Sequence, residues 1–251
     1  MTIKGVFFDL GGTLRICDEA PAHQAAARRR MAELAGWDDE AAFFRLIDAR
    51  YNGPYREWAL GENRESGDYE LWAKWLLPEL PEERLRAICH EMTYQYRQVK
   101  GLRRVVDGGV EVIRTLRARG YKLGIISNLI GEREIFDWLE QDGLAAYFDA
   151  VILSSVVHIR KPDPEMYLMG CRELELAPGE CASIADNLNR DITGAKAAGI
   201  GANILFISPE KLATKKLTDA NRPDFIIHSF IDALALPVLQ GVGEPSGAEA
   251  P

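Results

Sequence analysis

Six short segments of this chain are apolar almost from end to end: residues 5–8, 122–126, 150–153, 182–185, 203–207 and 224–227. A strand that is apolar on both faces must be covered on both, and a parallel sheet between two helical layers provides that cover. Helical patterns fill the gaps. Val112, Ile113 and Leu116 form one apolar stripe, with Gly120 as its stop. Ile135, Trp138 and Leu139 form another, and Asp163-Pro164-Glu165 reads as a helix start. Ile192, Ala195 and Gly199 give a small-residue face suited to close packing on a sheet. A βαβ series of this kind predicts a doubly wound α/β fold.

One region breaks the series. Residues 16–98 hold no convincing strand, while 21–34, 41–51, 68–77 and 82–99 carry helical patterns. The expected division is therefore a catalytic core of residues 1–15 and 100–240, an inserted helical unit of residues 16–99, and a disordered tail of residues 241–251. Hinges fall near Arg15 and Lys100-Gly101. Trp72, Trp75 and Leu76 share one helix face and read as the insertion's own core, with Trp37 and Trp58 nearby.

A net charge of −8 argues against nucleic acid as the main partner, and Arg28-Arg29-Arg30 reads as a solvated helix face. No apolar run reaches the length of a membrane span, and no leader pattern precedes the first strand, so a cytoplasmic monomer or homodimer is expected. Cys17, Cys89, Cys171 and Cys181 show no paired spacing and read as reduced thiols.

Open α/β sheets bind ligands beyond the carboxyl ends of their strands. The first strand runs into Asp9-Leu10-Gly11-Gly12-Thr13-Leu14, a carboxylate followed by a glycine backbone free to curl around a small anion. Ser127-Asn128 follows the second strand, Lys161 comes soon after the third, and Asp186 ends the fourth, with Asp191 five residues on. Three acids at one pole repel one another unless a cation sits among them, and a hard ion with oxygen ligands such as Mg²⁺ resolves the conflict. The metal and Lys161 would neutralise a bound dianion, Ser127 would donate a hydrogen bond to it, and Asp9 would be a covalent nucleophile. Singly, each has a plainer role: Asp9 in a turn, Ser127 as a helix cap, Lys161 on the surface, Asp191 in a helix's first turn.

Taken in order, these segments resemble the haloacid dehalogenase superfamily. The motifs are Asp9 through Leu14, then Ile125-Ile126-Ser127-Asn128, then Arg160-Lys161-Pro162-Asp163-Pro164-Glu165-Met166-Tyr167, and finally Ala185-Asp186-Asn187 through Asp191 to Gly199. The likeness covers nearly all of the chain outside the insertion, whose position is similar to that of the subclass with an α-helical cap over a Rossmann-like core. The resemblance implies that Asp9 attacks phosphorus, or carbon in the dehalogenases. It implies that Mg²⁺ is held by Asp9, the Gly11 carbonyl and Asp186, while Asp191 steadies the metal's water shell. Ser127 and Lys161 would grip the phosphoryl oxygens, with Gly11, Gly12 and Asn128 beside the substrate, and Thr13 would support the loop.

Two positions depart from that pattern. Gly11 stands where the phosphatases carry a second Asp, and Ala185 stands where a glycine often precedes Asp186. Losing the Asp removes general acid–base help worth roughly a hundredfold to ten-thousandfold in rate. His158 and Glu132 are the candidate substitutes. Three functions follow: a Mg²⁺-dependent phosphatase of a small phosphate monoester, a metal-free 2-haloacid dehalogenase, and a non-catalytic binding protein. The dehalogenase reading needs an arginine for the substrate carboxylate, with Arg15 or Arg45 as candidates. Arg45, Arg50, Arg56, Arg64 and Trp58 are the insertion's candidates for substrate contact.

Overall fold

The computed structural model describes residues 2–242. Its strands are β1 (Gly5–Phe8), β2 (Arg15–Asp18), β3 (Leu102–Val105), β4 (Lys122–Ser127), β5 (Ala150–Leu153), β6 (Cys181–Ala185), β7 (Ala202–Phe206) and β8 (Phe225–Ile227). Six of them form one parallel sheet in the order β5-β4-β1-β6-β7-β8, close to the expected segments. Side chains alternate across the sheet. Val6 and Phe8 enter one buried cluster with Leu123, Ile125 and Ile184, while Phe7 enters a second with Ile126, Met166 and Tyr167. Each such side chain, fully buried, contributes roughly 1.5–3 kcal/mol. The stripe Val112, Ile113 and Leu116 is wholly buried on the helix Gly109–Ala118.

Register brings the strand tips level. Phe8 pairs with both Ile125 and Ile184, so Asp9 stands beside Ile126 and Ala185. Ser127 and Asp186 then fall one residue beyond, on either side of β1. This is the place where the strand order reverses direction from the centre, and where such sheets bind ligands.

The expectation of no strand within residues 16–98 is corrected at its start, where β2 runs to Asp18. β2 pairs antiparallel with β3, Cys17 opposite Arg103, and the ribbon carries the chain into and out of the inserted helices. Its charged composition hides it, because pairing across more than eighty residues leaves no local signature. Gly101 closes the ribbon at φ +125, and a Cβ there would lie 2.2 Å from the Asp18 carbonyl oxygen. The helix start at Asp163-Pro164-Glu165 matches the expectation: the helix spans Glu165–Leu174, Pro164 before it already has helical dihedrals, and the Asp163 carboxylate accepts the Glu165 N–H at 2.9 Å.

Beyond β2 the insertion's regular elements are helical, with Pro21–Ala35, Glu40–Arg50 and Glu82–Gln98 as the long ones. Pro21 supplies a first-turn proline, Asp39 caps the second helix through Ala42 N–H at 2.8 Å, and Glu82 and Glu83 favour the start of the third. Phe43, Ile47, Trp72, Leu76 and Met92 form its own core. The Trp72 indole N–H donates to Thr93 Oγ1 at 2.8 Å, and Trp58 stacks on Trp75 with ring centres 4.9 Å apart. The tryptophans therefore serve packing. A loop carboxylate fastens the insertion to the core: the Glu65 side chain is fully buried, receives the Tyr55 hydroxyl and the Arg160 guanidinium, and accepts from Ser154 Oγ at 3.0 Å.

Residues 243–251 of the expected tail lie outside the described residues. Gly241 and Val242, also expected to be disordered, are docked, their N–H groups donating to Tyr121 Oη at 3.1 Å and the Arg119 carbonyl at 3.2 Å. All four cysteines are free, although the fold brings Cys171 Sγ and Cys181 Sγ to 3.8 Å. Among the described residues, no helix is long and apolar enough to cross a membrane.

Candidate active site

Asp9 leaves the end of β1 into a tight loop. The Thr13 N–H reaches the Leu10 carbonyl at 3.1 Å, Leu14 N–H the Asp9 carbonyl at 3.2 Å, and Gly12 N–H the Arg15 carbonyl at 3.0 Å. Gly12 takes φ +82, a conformation that glycine adopts freely, and a Cβ there would lie 2.5 Å from Asp186 Oδ2. The glycine thus lets the loop close on the second acid. The buried Thr13 hydroxyl donates to Asp9 Oδ2 at 3.3 Å, orienting the carboxylate.

Lys161 is the other anchor. Its side chain is 1% exposed, and Nζ lies 2.7 Å from Asp9 Oδ1, 2.6 Å from Asp191 Oδ1 and 2.8 Å from the Ile126 carbonyl oxygen. Asn128 fixes the lysine backbone from both sides, donating to the Lys161 carbonyl at 2.9 Å and accepting its N–H at 2.8 Å. Ser127 Oγ lies 3.4 Å from Asp9 Oδ1, the long limit of a hydrogen bond.

The structure brings Asp9, Asp186 and Asp191 together, with one carboxylate oxygen from each within 4.8 Å of the others. Burial and the neighbouring Asp9 push the Asp186 carboxyl up to about 6. Burial opposes ionisation of Asp191 too, yet Lys161 and Arg190 outweigh it and hold that carboxyl below its usual range. This oxygen-rich donor set, with Asp9 and Asp191 buried and Asp186 half-buried, fits a hard divalent cation.

Sequence reasoning missed Arg190. Its Nη2 lies 2.7 Å from Asp191 Oδ2, 3.2 Å from Asp186 Oδ1 and 3.3 Å from Asp9 Oδ2, so the guanidinium stands in for a cation at the centre of the acids. Asn187 shapes the turn that presents it, accepting the Asn189 and Arg190 N–H groups at 3.1 and 3.0 Å. The available signal was a cation directly before Asp191 in a motif of carboxylates. Glu65 was missed as well, because a polar loop stretch shows nothing of its burial.

A cleft of about 610 Å³ opens over this cluster between the insertion and the core. Tyr51, Tyr55 and Arg56 border it from the insertion, and Asn128, Lys161 and Arg190 from the core. Asp9 does not itself border the cleft, but two residues bonded to it do. Of the insertion's candidates, Arg56 borders the cleft; Arg45 borders a separate recess, Arg50 pairs with Glu79 at 2.9 Å, Arg64 reaches the His158 carbonyl, and Trp58 stacks on Trp75.

Three expectations are corrected. Neither His158 nor Glu132 borders the cleft: His158 Nδ1 sits 3.2 Å from the Glu65 carbonyl oxygen, and Glu132 lines another recess. Arg15 turns away from it, its side chain 5% exposed, with Nη1 3.1 Å from Glu134 Oε1 and its guanidinium 4.5 Å over the Trp138 ring. Gly11 is exposed, with nothing within 4 Å of where its Cβ would be.

A family model described as haloacid dehalogenase-like hydrolase matches residues 3–199. The bovine haloacid dehalogenase-like hydrolase domain-containing protein 3 is 35% identical over 108 residues, 43% of this chain and 42% of that protein, so the match spans under half of its length. The phosphoglycolate phosphatase of Thiobacillus denitrificans is 30% identical over 200 residues, 79% of this chain and 81% of that one. Among solved structures, a 2-haloacid dehalogenase from Pseudomonas syringae superposes with a TM-score of 0.65 over 95% of this chain and 99% of that chain, at 21% identity, a likeness of fold.

Proposed function

Because this chain belongs to the haloacid dehalogenase-like hydrolases, we propose that it is a Mg²⁺-dependent phosphatase of a small phosphorylated metabolite in the cytoplasm, working through an aspartyl-phosphate on Asp9. The observation that carries this reading is the meeting of three carboxylates, buried Asp9 and Asp191 and half-buried Asp186, with one oxygen of each within 4.8 Å of the others. A metal-free enzyme gains nothing from two further acids beside a carboxylate nucleophile. Relatives bearing phosphatase names support the same reading.

Asp9, Asp186, Asp191 and the Gly11 carbonyl are the residues to hold the metal. When bound, it supplies positive charge for the phosphoryl oxygens and the nucleophile. Lys161 and Thr13 hold the Asp9 carboxylate from its two oxygens. Ser127 and Lys161 bind phosphoryl oxygens in this reading, the lysine exchanging one of its present acceptors for substrate, with Asn128 fixing the lysine backbone and Gly11 and Gly12 forming the loop beneath. An Asp9 oxygen attacks phosphorus and the bond to the leaving oxygen breaks, with the electron pair leaving on that oxygen. Water then attacks the same phosphorus, releasing phosphate and restoring Asp9. The leaving oxygen needs a proton and the water must lose one, and Gly11 offers no side chain for either transfer. The expected enzyme is slow on alkyl phosphates, and the inserted helices serve as its cap.

Gly11 also suits the dehalogenase alternative, since a departing halide needs no proton, and Arg190 already supplies a cation beside Asp9. Against it, neither arginine expected to hold a substrate carboxylate, Arg15 or Arg45, borders the cleft. A phosphate-release screen over a metabolite panel, with and without Mg²⁺, tests the proposal. Mg²⁺-dependent release supports it, and metal-free chloride release from a 2-haloacid in EDTA overturns it.

A further inference from the structure

A second polar centre lies where the insertion joins the core, apart from the cleft. Three arginines surround one acid. Arg15 of β2 and Arg103 of β3 place Nη1 at 3.1 and 3.0 Å from Glu134 Oε1, and Arg97, from the end of the helix Glu82–Gln98, bonds Oε2. Side-chain exposures are 5% for Arg15, 13% for Arg97, 15% for Arg103 and 8% for Glu134. Two positive charges are thus left without a buried counterion, which is costly at low dielectric. Burial, with Arg103 and Arg97 close by, pushes Arg15 down to about 10.

Two buried donors here have no acceptor: Arg15 Nε and Gln98 Nε2. Both residues border a cavity of about 270 Å³, together with Arg103, Glu134 and Trp138. Of the acids at the rim, Asp137 pairs with Arg133 at 3.3 Å, and Asp142 accepts the Trp138 indole N–H at 2.7 Å. Arg104, also on the rim, pairs with Asp18 and Asp107. Orphaned N–H donors, the guanidinium forks of Arg15 and Arg103, and an open volume coincide at one place, and buried donors without acceptors call for a partner.

We propose that this cavity binds a small oxyanion, a phosphate ion or the phosphate group of a metabolite, at the junction between the inserted helices and the core. Guanidinium forks match the oxygens of such an anion. Arg97 and Gln98 come from the insertion, Arg15 and Arg103 from the connecting ribbon, and Glu134 and Trp138 from the core helix Arg133–Gln141. The bound anion therefore ties together the parts that a cap must move relative to one another. The site stands independently of the chemistry assigned to Asp9.

The Trp138 indole N–H, beneath the Arg15 guanidinium, is the reporter. The ¹⁵N-labelled full chain is titrated with inorganic phosphate, and separately with glycerol phosphate, while the indole resonance that Trp138→Phe removes is followed. A saturable shift with either ligand supports the site, and the tighter ligand identifies the source. Arg103→Gln weakens that binding at least about tenfold, the loss of a hydrogen bond to a charged group, and Arg15→Gln, at the other guanidinium bordering the cavity, provides the same check if the first variant misfolds. An unmoved Trp138 resonance in the wild type, or an unchanged affinity in a folded arginine variant, overturns the proposal.

Discussion

Installing an acid at Gly11 is the most informative single substitution. Gly11 lies outside the left-handed region, and an added Cβ meets nothing within 4 Å. Gly11→Asp is therefore accommodated without strain, and the stiffer chain adds up to about 1 kcal/mol of stability. Gly12 is the control: at φ +82 with Asp186 Oδ2 2.5 Å from its Cβ position, Gly12→Ala strains the backbone by roughly 1–2 kcal/mol and pushes on the Asp186 carboxylate. An aspartate at position 11 restores the group that protonates the leaving oxygen and then activates water. General acid–base help of roughly 10²–10⁴ in rate corresponds to about 3–5 kcal/mol off the barrier. The assay is steady-state phosphate release from an alkyl phosphate and from an activated aryl phosphate, with Mg²⁺ present. Both rates rise in Gly11→Asp. The alkyl phosphate gains more, since its leaving group needs the proton, while the aryl phosphate gains only in breakdown of the aspartyl-phosphate. A folded Gly11→Asp with no gain on either substrate would refute the reasoning, because some other group would then already transfer the proton.

Removing Arg190 frees the three carboxylates, so Arg190→Ala binds Mg²⁺ about tenfold more tightly by calorimetry, the scale of a lost charge-assisted hydrogen bond; weaker binding contradicts this. Protonation of Asp186, raised to about 6, removes a ligand charge, so Mg²⁺ affinity falls as pH drops through that value and holds level above it. An affinity that does not change across that range contradicts the assignment of Asp186 as a ligand. Glu65→Ala leaves Arg160 without its buried partner and costs about 3 kcal/mol in denaturant unfolding, and a loss below about 1 kcal/mol removes Glu65 as the fastening between insertion and core.

The parallel sheet was legible because its inner strands, such as β1 and β6, are buried on both faces and so spell continuous apolar runs. Asp9, Ser127, Lys161, Asp186 and Asp191 were legible because strand ends in such a sheet converge. The β2–β3 ribbon was not, since Arg15, Arg103 and Arg104 disguise it and its partner lies far along the chain. Arg190 and Glu65 were hidden for a related reason: charged residues are read as solvated unless the fold encloses them, and only packing shows which are enclosed. The same reasoning misplaced Arg15, which a sequence puts near Asp9 but the alternation of β2 turns toward Glu134.

Whether Asp9 accepts a phosphoryl group decides the functional account most directly. Rapid mixing of the full chain with an activated aryl phosphate and Mg²⁺ should give a burst of one aryl alcohol per chain followed by slow turnover, with one phosphoryl group on Asp9 by intact-protein mass spectrometry. Asp9→Asn should show neither burst nor turnover. A wild-type protein that forms no phosphoenzyme, or an Asp9→Asn variant that keeps turning over, contradicts the account.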